Sequence, residues 1–90
     1  MHVQAGRPSE EQLRRNFDNA LAAASAGQGV RSESGLDLPT QDALWAIARA
    51  YPEIPEQLTV AARTAFAGQL DGSNAARRRA EFERKFPGRD

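Results

Sequence analysis

Apolar residues recur along this chain at helical spacing, with no stretch of strict alternation. Leu13, Phe17, Ala20, Leu21 and Ala24 fall on one face of a first helix, while Arg14, Arg15, Asp18 and Asn19 point elsewhere. Its start is marked by Ser9, a capping residue with Gln12 three positions on and two glutamates between them. Gly27 marks its end, which predicts a helix over 9–26. Leu44, Ile47 and Tyr51, widened by Ala43 and Ala48, define a second helix over 40–51, with Thr40 as its expected cap and Pro52 as its stop. A third is predicted over 55–70, where Pro55 costs no hydrogen bond in the first turn and Gly72 follows the end. Its main face is Leu58, Ala61, Ala62, Ala65, Phe66 and Leu70, with Val60 and Ala67 on the opposite side. That two-sided pattern is expected of a central helix. The fourth, over 74–86, follows the Ser73-Asn74 cap and aligns Ala75, Phe82 and Phe86 before Pro87-Gly88 ends it.

Between the first two helices runs GQGVRSESGLDLP, without periodicity and with three glycines and two serines, and is expected to be a mobile loop at 27–39. It lacks the preceding strand and the Gly-Lys-Ser/Thr of a phosphate-cradling loop. Residues 1–7 read as a loose tail. The expected fold is therefore all-α: a small bundle or array of about four short helices in a single domain over 8–88. Phe17, Leu21, Leu44, Ile47, Leu58, Ala62, Phe66 and Phe82 are its expected core.

Composition makes that core thin. Leu, Ile, Val and Phe together number only sixteen of the 90 residues, and much of the 40% hydrophobic content is alanine, which favours helix but buries little area. Eleven arginines against one lysine suggest a GC-rich bacterial or phage origin. The absence of cysteine removes disulfides, thiolate metal sites and cysteine nucleophiles. No run reaches the roughly 18 apolar residues of a membrane span, and the first residues lack a signal peptide's apolar centre, so the expected compartment is the cytoplasm.

Net charge is zero but unevenly spread. Residues 33–59 carry five acids and Arg49, and residues 73–90 carry six basic and three acidic groups. The basic last helix is expected to lie near the acidic middle, although the same asymmetry fits head-to-tail pairing of two copies.

No cofactor is implied, and catalysis is not expected. His2 is the only histidine and has no Asp, Cys or second His beside it for metal binding or proton transfer. Glu10/Glu11 and Glu53/Glu56 are explained by helix starts, and the serines have no base at hand. The expected role is a non-catalytic module that binds another protein, as a small regulator, inhibitor or adaptor. The candidate contact residues are Trp45, which lies off the Leu44/Ile47/Tyr51 stripe, Arg49 one turn on, and Leu38 upstream, because Trp and Arg dominate interface hot spots. If instead Val30, Leu36 and Leu38 fold back over the indole, Trp45 belongs to the core. The alternative function is DNA binding by the last helix in a helix-turn-helix-like arrangement, with Arg77, Arg78, Arg84 and Lys85 contacting phosphates or an acidic partner. Three features oppose it: expected pairs Arg77–Glu81, Glu81–Lys85 and Arg79–Glu83, a neutral chain, and no base-reading side chain beyond the cap.

Overall fold

A computed structural model describes residues 9–31 and 34–85. The 1–7 tail, His2, Phe86, the Pro87-Gly88 stop and the outer limits of the 8–88 domain lie outside the described residues. Within them the fold is all-α, with four helices: α1 (Glu10–Ser25), α2 (Leu38–Ala50), α3 (Glu56–Asp71) and α4 (Ser73–Lys85). None is long and apolar enough to cross a membrane.

The ends of α1 follow local chemistry. Ser9 Oγ accepts a hydrogen bond from the Gln12 amide at 3.1 Å. Arg14 pairs with Glu10 at 2.7 Å and Arg15 with Glu11 at 3.6 Å, acid before base as the helix dipole favours. At the other end the Gly27 amide donates to Ala24 O and the Gln28 amide to Ala23 O. This 5→2 and 6→1 closure requires φ > 0, and Gly27 supplies it at 85°.

The start of α2 differs from expectation. Its cap is Asp37, not Thr40: Asp37 Oδ1 accepts both the Thr40 amide (3.1 Å) and the Thr40 hydroxyl (2.7 Å). Leu38 and Pro39 form the first turn, where a proline nitrogen needs no partner. Thr40 is thus one turn inside the helix and fully buried. At the start of α3, Pro55 is the extended cap itself, without a side-chain hydrogen bond.

α3 packs against each of the other helices, most extensively against α2. The core is Phe17, Leu21, Ala24, Leu36, Leu44, Ile47, Ala62 and Phe66. At its centre the rings of Phe17 and Phe66 stack with centroids 4.5 Å apart and planes within 1° of parallel, which joins α1 to α3. Leu58 is half-buried against this cluster. Two expectations fail. Val60 and Ala67 are exposed, so α3 is covered on one side only. Phe82 is 57% exposed and outside the core.

The junction of α3 and α4 explains Phe82. A single residue, Gly72 at φ 85°, separates the two helices, and Asp71 Oδ1 accepts the Ser73 amide at 2.8 Å across it. The residue that docks α4 on the body is Asn74, which is buried. Phe82 lies eight residues further on, about 12 Å along the axis and about 80° around it. By then α4 has left the body, and every residue from Ala75 to Lys85 is exposed.

The Ser73 amide, and secondarily its hydroxyl, hold the Asp71 carboxyl below its ordinary value of 3.8. A depressed folded-state pKa adds stability that is present above the ordinary value and is lost as pH falls through the lowered one. Asp71→Asn is therefore expected to flatten the acid limb of the pH–stability curve below 3.8. Thermal melts across that window check this, and an unchanged acid limb would show that the turn makes no use of the charge.

Candidate interaction surface

Helix α2 is organised by its buried face, Thr40, Leu44 and Ile47, which are inaccessible to solvent. Steps of seven and four residues place Leu38, Trp45 and Arg49 within about 40° of one another on a different, outward stripe, with Asp42 between them. Leu38 is 59% exposed and Trp45 39% exposed, and Arg49 and Asp42 are exposed. All three candidate residues of the sequence reading therefore share one accessible face.

Trp45 meets neither alternative in full. The loop reaches it through Gly29: a Cβ there would stand 2.6 Å from Trp45 Cη2, so the tip of the indole lies on the glycine backbone. Tyr51 lies in the same way on Gly27, where a Cβ would come within 2.8 Å of the ring. Of the residues expected to cover the indole, Leu36 is buried in the core, Val30 is half-buried against it, and Leu38 is exposed. The tip of the indole is covered by Gly29, and 39% of the residue is exposed.

A polar cluster fixes the ends of this surface. Asn74 Nδ2 donates to Asp37 Oδ2 (3.0 Å) and to Ala65 O (2.8 Å). Gln69 accepts the Asp37 amide at 2.9 Å and donates to Gly35 O at 3.0 Å. One carboxylate thus caps α2 with one oxygen and holds α4 with the other. The sequence reading missed Asn74, Gln69 and this role of Asp37. The available signal was an Asp two residues before a Pro and three before a Thr, a cap pattern stronger than Thr40 alone.

Beside this cluster α2 and α4 enclose a shallow groove of about 320 Å³, lined by Leu38 and Asp42 on one side and Asn74, Arg77, Arg78 and Glu81 on the other. The structure therefore brings together one residue of the protein-binding candidate and two of the basic candidate. Arg84 and Lys85 do not line the groove, but follow on the same side of α4, within about 80° of Asn74. The expected pairs Arg77–Glu81, Glu81–Lys85 and Arg79–Glu83 do not form. The ion pairs among the described residues are those of α1. Two of the three missing pairs place the base before the acid, the weaker orientation on a helix. Nor does any ion pair among the described residues join α4 to the acidic middle. That contact is made by the neutral Asn74.

A second hollow, about 370 Å³, lies between α1 and the loop and is lined by Asn16, Asn19, Gln28, Arg31 and Ser34 among others. Its Asn16 amide is committed to Ser34 O at 2.8 Å. Among the described residues no group of three or more His, Cys, Asp or Glu side chains is placed to hold a metal ion. Comparison with protein-family models, characterised proteins and solved structures finds no match.

Proposed function

We propose that this chain is a non-catalytic helical module of bacterial or phage origin that acts in the cytoplasm by binding another protein, as a regulator, inhibitor or adaptor. The observation that carries this reading is the outward stripe of α2. A chain with few large apolar side chains leaves Leu38 and Trp45 exposed in one row, with Arg49 at its end. Trp and Arg on such a row are the residue types that contribute most to protein interfaces. The indole is also held in place by Gly29, which lowers the entropy lost when a partner covers it.

The test starts from affinity capture with the tagged chain in its native host and identification of the protein retained. Trp45→Ala is then expected to weaken that complex by about 2 kcal/mol or more. Melting should change less than for a fully buried residue, because Trp45 is only partly buried. Tryptophan fluorescence in the free chain should be accessible to iodide and should shift to the blue on adding the captured protein. A complex indifferent to both Trp45→Ala and Leu38→Ser would remove the reading.

A second reading, nucleic-acid binding by α4, is favoured by one observation: its cations are exposed and not neutralised by Glu81 or Glu83. A gel shift at low salt with random duplex DNA separates the two readings.

A further inference from the structure

We infer that the groove between α2 and α4 takes an acidic segment of the partner that also carries an apolar side chain. The inference rests on the protein-binding reading of this surface and names the chemistry it recognises. Arg77 and Arg78 line the groove, and Arg84 and Lys85 extend the same side of α4, against Asp42 and Glu81. The groove lining holds two cations and two acids, Arg84 and Lys85 add the positive excess along α4, and none of the four cations is in an ion pair among the described residues. A segment carrying carboxylates meets this field favourably and is steered by it.

The apolar requirement comes from the α2 wall. Leu38 lines the groove there and is exposed. It offers area to a Leu or Phe of the incoming segment and nothing to a phosphate. Asp42 and Glu81, inside the groove, would repel the evenly spaced charge of a nucleic-acid backbone, whereas a peptide can space its carboxylates to avoid them. Among the described residues, the acidic corner of α2 and α3 does not supply such a segment to a second copy. That corner, Glu53 to Glu56, carries Ile54, which is packed against the core. From Asn74 to Lys85, α4 offers a run of roughly 16 Å, the length of about three turns of a partner helix.

The test uses the full chain and a fluorescein-labelled helical peptide with Leu at i and i+4 and Glu on either side of them. Fluorescence anisotropy should show saturable binding that weakens with salt. Arg77→Glu with Arg78→Glu should weaken it at least about tenfold, and so should Leu38→Ser. The charge-reversed double variant should instead take the same peptide with every Glu replaced by Lys. Because all three positions are exposed, helicity and melting should be retained. The inference is overturned if the Glu–Leu peptide does not saturate by about 1 mM. It is also overturned if Leu38→Ser has no effect, if a DNA duplex binds more tightly than the peptide, or if the chain dimerises through Arg77 and Arg78. A captured host protein released by Trp45→Ala, yet held by the charge-reversed variant, overturns this inference and leaves the protein-binding reading standing.

Discussion

Phe66→Ala should leave the chain largely unfolded near room temperature. The ring is nearly inaccessible and stacks on Phe17 at 4.5 Å, which joins α1 to α3. Truncating a buried Phe costs about 3–5 kcal/mol. The aromatic pair adds roughly 0.5–1.5 kcal/mol beyond its buried area. A domain of this length has on the order of 5–13 kcal/mol in total, and so thin a core places it at the lower end. Phe66→Leu keeps most of the volume and should be milder. Urea denaturation of the two single alanine variants and the double, Phe17→Ala with Phe66→Ala, gives the coupling between the rings. Additive losses, or a cost below about 1 kcal/mol for Phe66→Ala, would show that the stack is incidental and α1 is held by Leu21 and Ala24 alone.

Gly68→Ala tests the junction, because local and tertiary effects there have opposite signs. On an isolated helix the change should stabilise by about 1 kcal/mol. Here a Cβ at position 68 would run into the Asn74 carboxamide, 2.9 Å from its Cγ. Asn74 would be forced off Asp37 and off the Ala65 carbonyl. Stripping the buried Asn74 amide of both hydrogen bonds costs about 1–3 kcal/mol, so the net effect should be destabilising. Asn74→Ala should cost a similar amount, because it removes the same two hydrogen bonds. The double variant should then cost less than the sum, since removing Asn74 opens the space that the new methyl needs. Thermal or urea melts of all three variants decide it. A stabilising Gly68→Ala would mean that α4 is not held where this packing places it.

The two junction residues also show where the sequence stops being informative. In the sequence alone, the only legible property of Gly68 is its poor helix propensity. Its use becomes apparent only beside Asn74, six residues later and on another helix. The same holds for Gly27 and Gly29, whose neighbours Tyr51 and Trp45 are more than fifteen residues away. Read alone, they mark a flexible loop. In place, they let two aromatic rings lie on the backbone. Helices, by contrast, are local objects, and the periodicity of α1 to α4 was legible to within two residues of each end that falls inside the described residues. Phe82 shows the limit from the other side. Periodicity correctly puts it on a stripe of α4, but cannot say whether that stripe faces a neighbour or solvent. Of the candidate surface, Trp45 and Arg49 were readable as one face of a helix, and Leu38 joins them only because Asp37, not Thr40, caps α2. That Leu38 would share a groove with Arg77 and Arg78 depends on the turn at Gly72, whose geometry sets where α4 goes.

The connection of α4 through one glycine and one buried asparagine has a consequence for how the chain can change over generations. From Ala75 to Lys85 no position is buried, so the requirement to fold places almost no constraint there. Charge and side-chain size on α4 are free to drift or be selected, provided Gly72 and Asn74 are kept, while α1, α2 and α3 preserve the core. Selection for folding and selection for a binding partner then act on separate sets of residues, and a lineage can exchange its partner without passing through an unfolded intermediate sequence.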